Sequence, residues 1–236
     1  GQYNTASGDR ATVGGGYGNA ASNVFSTVGG GTGNAASNIE ATVGGGVANT
    51  ASNIYATVGG GISNTSSGDS ATVPGGRDNI AAGDYSFAAG RRAKIDALHD
   101  GSFLFSDSSN FDFNSSAANE FAVRATGGAR FVTAIDGSGN PTMSFVMTPS
   151  GNLGVGLSAP ARQVHLQGNN AVFRMDRDLN SSAFILVRTA AGDFNTIWKT
   201  FYVGVDASGV NNGSFFIGDV GTAVSGPSTK RLYIDN

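Results

Sequence analysis

The segment N-T-A-S-G-D-R-A-T-V-G-G-G at residues 4–16 decides the fold, because it recurs along the chain at a constant spacing. A later copy reads N-T-S-S-G-D-S-A-T-V-P-G-G at residues 64–76. The residue that opens each copy returns every 15 residues, at Asn4, Asn19, Asn34, Asn49, Asn64 and Asn79. A fixed period over six consecutive copies predicts a repeat architecture built from one small structural unit.

Two further positions of the repeat, counted from its Asn, identify the expected core. Position nine carries Val13, Val28, Val43, Val58 and Val73. Position eleven carries Gly15, Gly30, Gly45, Gly60 and Gly75. In an extended A-T-V-G-G-G segment, alternate residues point to opposite faces. We therefore expect these Val and Gly residues to face inward as the structural core of the repeat.

Each repeat has the composition of two short strands separated by bends. Position four holds only Gly or Asn, at Gly8, Asn23, Asn38, Asn53, Gly68 and Gly83. Because these two residue types tolerate a positive φ, we expect a left-handed turn residue there. Strands from successive coils stack about 4.8 Å apart, so the sequence predicts a rod of six coils roughly 30 Å long.

The repeats of residues 1–93 resemble the head repeats of trimeric autotransporter adhesins, the YadA-like head. The segments at 4–16 and 64–76 carry the resemblance, which implies a left-handed parallel β-roll that is trimeric and extracellular. The Thr-Val-Gly of this chain departs from the Val-Ala-Ile common in that family, and one half of each unit is a residue longer.

A physical argument also favours a trimer. A coil lined by Ala, Val and Gly buries little apolar area, about 1 kcal/mol per side chain before the entropy of ordering is subtracted. Association of three parallel coils would bury a second apolar set: Val24, Ile39, Ile54, Val47 and Ile62. We therefore expect an intertwined homotrimeric fibre.

The 15-residue period ends near residue 93, and aromatic residues become frequent. We expect a β-meander connector over residues 94–150 and a C-terminal antiparallel β module over residues 151–236, which makes the whole chain all-β. The segments at 150–168 and 231–236 resemble parts of phage tail fibres and surface proteins that carry a self-cleaving intramolecular chaperone domain. We expect the natural chain to continue beyond Asn236 or to be processed there.

The composition argues against several classes of partner. A net charge of −3 with three Lys gives no basic surface for a nucleic acid, and no apolar run reaches the roughly 20 residues of a membrane span. The membrane is therefore expected to matter only through regions outside this segment. The Gly triplets do not lead into Gly-Lys-Ser/Thr, so no phosphate-binding cofactor loop is predicted.

The reactive side chains form no motif. His99 and His165 lack spaced ligand partners, so no metal site is predicted. No paired catalytic carboxylates are identified among Asp107, Asp112, Glu120, Asp176 and Asp178. Ion pairing, or binding of a sugar carboxylate, is expected for Arg124, Arg130, Arg174, Arg177 and Arg188.

An aromatic group in the C-terminal module is the candidate surface-contact region. Its members are Trp198, Tyr202 and Phe194. Aromatic faces suit sugar rings, although such a cluster also serves as core.

The sequence thus predicts a non-enzymatic, extracellular, trimeric fibre segment, which needs no cofactor and attaches to a cell or host surface. The carrier is either a bacterial cell, as for an adhesin, or a virion tail, as for a tail fibre. Its receptor would be a surface glycan or protein. The alternatives are a glycan-cleaving tailspike-like enzyme and a purely structural stalk.

Overall fold

A computed structural model describes residues 1–167, 182–190, 193–205, 215–221 and 229–234. Within those ranges the regular structure is entirely β, with 24 strands and no helix. The chain divides into two compact units, Gly1–Gln167 and Gly168–Asn236. The all-β expectation is confirmed.

Two parallel sheets of eight strands each make up the first part of unit one. The first sheet contains β1 (Thr5–Ala6), β3 (Ala20–Ala21), β5 (Ala35–Ala36), β7 (Thr50–Ala51), β9 (Thr65–Ser66), β11 (Ile80–Ala81), β13 (Ala93–Ile95) and β15 (Phe113–Asn114). The second contains β2 (Thr12–Val13), β4 (Thr27–Val28), β6 (Thr42–Val43), β8 (Thr57–Val58), β10 (Thr72–Val73), β12 (Phe87–Gly90), β14 (Phe103–Ser106) and β16 (Phe121–Arg124).

Each strand pairs with the equivalent strand of the next coil. Val13 lies opposite Val28, and Val28 lies opposite Val43, both in parallel register. A third column of single parallel bridges runs through Gln2, Tyr17, Thr32, Val47, Ile62, Arg77 and Arg91. The chain therefore winds as a parallel β-solenoid, as the repeat predicts.

The core of the solenoid is narrow and made of small side chains. Its fully buried apolar residues include Ala21, Val28, Ala36, Val43, Ala51, Val58, Ala71 and Val73. All of these except Ala71 occupy the inward positions of the two-residue strands, because each strand turns one residue in and the next one out. The interior is narrow over the regular coils, and their buried apolar side chains are accordingly no larger than Val.

The expected left-handed residue at position four is wrong, because positive φ angles occur at position six instead. They lie between 53° and 58° at Arg10, Phe25, Glu40, Tyr55, Ser70 and Tyr85. The left-handed conformation reverses the peptide direction. Strand amides donate to the following coil, as from Thr12 to Ser26 O at 3.0 Å, whereas Phe25 N donates back to Asp9 O at 2.9 Å.

Parallel winding continues beyond residue 93, so the expected meander is wrong for β13–β16. Phe87 pairs with Phe103 and Phe103 with Phe121, which gives spacings of 103 − 87 = 16 and 121 − 103 = 18 residues. The turns change length while the inward residues Ile95 and Leu104 remain buried. The sequence period is lost although the stacking is not.

A mixed four-stranded sheet completes unit one. It contains β17 (Ala129–Ile135), β18 (Pro141–Met147), β19 (Leu153–Val155) and β20 (Val164–Leu166). The first two pairings are antiparallel and the third is parallel. Unit two has an antiparallel sheet of β21 (Ser182–Ala190), β22 (Asp193–Val205), β23 (Phe215–Gly221) and β24 (Thr229–Ile234). The antiparallel pairing expected for residues 151–236 therefore holds for these four strands, whereas β19 and β20 lie in unit one and pair in parallel.

Candidate interaction surface

A ladder of buried Asn side chains runs through the solenoid at the first position of each repeat. At Asn49, the backbone amide donates to Asn34 Oδ1 at 2.9 Å. Its own Nδ2 donates to Gly45 O and to Gly61 O, both at 2.9 Å. Asn19 through Asn79 are at most 1% exposed. The regular recurrence of Asn indicated the repeat, but the sequence reasoning missed its role as a buried connection between coils.

The requirement for Gly falls at position twelve rather than at position eleven. Gly46 has a φ of +91°, and a Cβ there would lie 2.2 Å from Gly61 O. At Gly45, the nearest atom to an added Cβ is Gly30 O at 4.0 Å. The same open space surrounds the other position-eleven residues Gly15, Gly30, Gly60 and Gly75. Of the Val residues expected in the core, the structure buries Val28, Val43, Val58 and Val73, and Val13 packs against them from the first coil.

Two columns of apolar side chains lie exposed at opposite turns of the solenoid. The first, which we name edge one, follows the bridge column through Tyr17, Val47 and Ile62 and is 44–52% exposed at these residues. The second, edge two, occupies positions five and six. Phe25, Ile39 and Tyr55 are exposed there, and Val24 and Ile54 are half-buried. The two edges are separated by the two sheets, since each coil passes through one sheet between one turn and the next.

The outer face of the second sheet changes character along the solenoid. A Thr column occupies position eight of the first five repeats and is continued by stacked rings of Phe87, Phe103 and Phe121. The ring centroids lie 4.9 and 5.0 Å apart. Phe121 is 70% exposed, and Phe105 beside this stack is 42% exposed. The outer face of the second sheet thus carries Thr hydroxyls over the first five repeats and aromatic rings over the last three strands.

Arg124 is held at the end of the solenoid by several contacts within the chain. Its Nε donates to Asp107 Oδ1 at 3.0 Å and its Nη1 donates to Phe111 O at 2.9 Å. The guanidinium also lies 5.5 Å from the ring centroid of Phe113. Of the residues expected to pair or to bind a sugar carboxylate, Arg124 is therefore engaged inside the fold.

Asp107 accepts hydrogen bonds from both polar groups of Thr126, the hydroxyl at 2.7 Å and the amide at 2.8 Å. The bonds from the Thr126 hydroxyl and then from its amide hold the pKa of Asp107 well below its usual range. A carboxylate stabilised in the ionised form is a poor general acid at neutral pH. A shallow depression beside Asp107 is lined by Gly90, Arg91, Phe105, Ser106 and Ser108.

The remaining reactive residues have separate, local partners. His99 Nδ1 lies 2.6 Å from Ser115 Oγ, and His165 Nδ1 accepts from Ala161 N at 3.2 Å. Asp112 pairs with Arg92 at 2.8 Å. Hydrogen bonds from the amide and then the hydroxyl of Ser116 lower the pKa of Glu120. Within the described part of the chain, no group of three or more His, Cys, Asp or Glu side chains is arranged to hold a metal ion.

The aromatic candidates lie on β22 of unit two. The backbone of Tyr202 is paired with Ile185 on one side and with Gly218 on the other. The register between β21 and β22 shifts next to Trp198, and Phe194 lies close to the start of β22. Their role as a surface-contact region stays a prediction. Asp176, Asp178, Arg174 and Arg177 lie outside the described residues.

Comparison of the sequence with protein-family models and with curated proteins gives no match. Among the residues that the structure describes, no helix is long and apolar enough to cross a bilayer.

Proposed function

We propose that this chain is a segment of a trimeric extracellular fibre that attaches a bacterial cell or a virion to a surface, without catalysis. The observation that carries the proposal is the pair of exposed apolar edges at opposite turns of the solenoid. A ring of identical subunits needs two different patches on each copy, because its interfaces are heterologous. Edge one of one copy and edge two of the next supply such a pair.

The energetics of the solenoid support association. The inward residues are mostly Ala and Val. Val47 and the larger Tyr17, Phe25, Ile39 and Ile62 remain exposed outside. Burying an apolar side chain of Val, Ile or Phe stabilises by about 1.5–3 kcal/mol. Because these five side chains are 39–52% exposed, transfer of both edges from water to subunit contacts would add roughly half of that value for each of them.

The attachment role rests on the resemblance of residues 1–93 to adhesin head repeats and of residues 150–168 to tail-fibre segments. A surface glycan or protein is the proposed receptor, with Trp198, Tyr202 and Phe194 as the candidate contact. The absence of catalysis is part of the proposal. The local pairing of Asp107 and Asp112 with arginines favours it, because both carboxylates already have structural partners.

The first experiment measures the molar mass of the wild-type chain and of a Val47→Asp/Ile62→Asp variant by light scattering. The wild type is expected to be a trimer and the variant a folded monomer, because each trimer would bury six unpaired charges at edge one. The matched control, Ser22→Asp/Ser37→Asp, adds the same charge at the exposed serines that directly follow β3 and β5, and is expected to remain trimeric.

Binding is then measured with the trimer on a glycan array and on whole cells. Specific binding supports a receptor-binding fibre, whereas a trimer that binds neither supports a structural stalk. Cleavage of an arrayed glycan would overturn the non-catalytic part of the proposal. A monomeric wild type would overturn the trimeric fibre itself.

A further inference from the structure

Within the described part of unit one, the mixed sheet β17–β20 has one exposed apolar face. Its large exposed residues are Phe131, Met143, Phe145, Met147, Val155 and Val164, which are between 39% and 60% exposed. We infer that this apolar sheet face packs against the same face of two further copies of the chain, and so forms a second trimer contact beyond the solenoid. The inference rests on the trimer of the proposed function and names a surface that the repeat does not contain.

The register of the strands places these residues on one side of the sheet. Phe131 lies opposite Phe145, and Phe145 lies opposite Val155. Two residues further along β18, Met147 pairs with Leu153, which pairs with Val164. Cross-strand partners share a face, and residues two apart along a strand return to it. The aromatic rings of Phe131 and Phe145 lie 6.1 Å apart at their centroids.

Charged and polar groups of these strands fall on the other side. Arg130 pairs with Val146, and Gly154 pairs with His165, all one residue out of step with the apolar set. Arg130 is the single Lys, Arg, Asp or Glu of the four strands. The apolar sheet face therefore contains no formal charge that would have to lose its hydration on association.

The other side of the sheet is covered in part by the chain itself, over β18 and β19, while Val132 of β17 stays 41% exposed. Val146 is 7% exposed, and Gly154 and Pro160 are buried. A Cβ added at Gly154 would lie 3.3 Å from Leu157 Cδ2 and 3.3 Å from Pro160 Cγ, so residues 157–160 lie directly over it. A local segment thus covers the centre of one face, whereas the apolar face has large exposed side chains on all four strands.

The extent of the open face suits a subunit contact. Six large apolar side chains at this exposure present roughly 500 Å², at the upper end of the largest apolar patches on monomers and somewhat below the ~800 Å² per partner of a standard interface. A face of this size is a sufficient addition to the solenoid edges and is small for a stable interface on its own. This size is best explained by a contact between copies of the chain that already associate through their solenoids.

The connection to the solenoid favours copies of this chain over an unrelated partner. β16 ends at Arg124 and β17 begins at Ala129, so four residues join them. A link of that length spans at most about 17 Å. If three solenoids associate in parallel, three of these sheets must emerge side by side around one axis. Their apolar faces can then cover one another.

The test uses the full chain with two double substitutions, one on each face of the sheet formed by β17 and β18. Phe145→Asp/Met147→Asp charges the apolar sheet face, while Val132→Asp/Thr142→Asp places the same charge on exposed residues of the other face. Sedimentation over a concentration series measures the trimer–monomer midpoint, and circular dichroism reports folding. The first variant should raise the midpoint concentration by about 100-fold or more, and the second by less than about threefold.

A second measurement keeps the inference falsifiable if the charged variant fails to fold. The chain has no Cys, so Met147→Cys gives a single thiol on the apolar sheet face and Val132→Cys a single thiol on the other. A short bifunctional maleimide should join chains of the Met147→Cys protein and leave Val132→Cys chains unjoined. No cross-linking of Met147→Cys in a trimeric protein would overturn this inference alone, whether residues 168–236 or a foreign partner cover the face. A monomeric wild type would overturn the proposed trimer with it.

Discussion

The regular coils of residues 4–90 and the irregular coils of residues 91–124 share one fold and connect their strands by different polar contacts. In the regular coils, the Asn ladder passes from each coil to the next and ends where Ala93 N donates to Asn79 Oδ1 at 3.0 Å. In the irregular coils, Arg124 and Asp107 link the last strands to the turns. Both parts continue the same two sheets.

The difference shows which features a parallel solenoid requires. Inward residues must stay in register, so Ala88 is followed by Leu104 and Ala122 at the same position of the sheet. Turn length is free, because extra residues extend outward into solvent. The tight Gly turn ends together with the ladder. Gly90 pairs with Ser106, and Ser106 pairs with Arg124. The irregular coils therefore have side chains at the position where the regular coils require Gly.

The largest effect is expected from a methyl group in the tight turn of a regular coil. Gly46→Ala should lower the free energy of unfolding by about 4 kcal/mol, because the residue has a φ of +91° and its Cβ would meet Gly61 O at 2.2 Å. Gly45→Ala is the matched control and should leave stability unchanged or raise it by about 0.5 kcal/mol. Urea unfolding measures both. Equal losses from the two variants would show that position twelve has no special role.

A somewhat smaller loss is expected from breaking the Asn ladder. Asn49→Ala removes the hydrogen bonds to Gly45 O and Gly61 O and the acceptor of the Asn64 amide, and should cost about 3 kcal/mol. Gly61 O keeps its bond from Val47 N. Asn4→Ala removes the half-exposed first member, where water replaces the lost bonds, and should cost about 1 kcal/mol. The comparison is made by urea unfolding at neutral pH. An interior loss no larger than the terminal one would contradict the ladder.

The smallest effect belongs to the irregular coils and depends on pH. Since the folded-state pKa of Asp107 lies below its unfolded value near 4, its contribution to stability is present above about pH 4 and is lost as pH falls further. Asp107→Asn should therefore lose less Tm than the wild type between pH 7 and pH 3. Thr126→Val, which removes the hydrogen bond from the Thr126 hydroxyl to Asp107, should show an intermediate change of Tm with pH. Parallel Tm curves for all three proteins would rule out this role.

Much of the fold was readable before the structure, because periodic residues report a periodic backbone. The recurrence of Asn and Val predicted the parallel stacking of the first coils, and alternating aromatic segments predicted the later strands. The left-handed turn residue was placed two positions too early. Its occupants Arg10, Phe25, Glu40 and Tyr55 give no sequence signal for a positive φ, because the conformation is imposed by hydrogen bonds between coils.

The interaction surfaces were less accessible to sequence reasoning. The apolar set with Val47 and Ile62 was expected to need a partner, and the structure shows these residues exposed on a single chain. The uncovered face of β17–β20 was not predicted. Alternation in a strand indicates that two faces differ, but it does not indicate which face the rest of the chain covers.

The sequence by itself determined the repeat, the small inward side chains and the β character of the chain, because these depend on local spacing and residue size. Only the tertiary structure decided where the solenoid ends, which Gly is indispensable, how the Asn side chains join the coils, and which apolar groups remain in contact with water. Each of these depends on atoms that are neighbours in space while lying 12 or more residues apart along the chain, as Asn49 and Gly61 do. The residues of a strand show which of them alternate between two faces, but the winding of the coils decides which residues lie next to that strand.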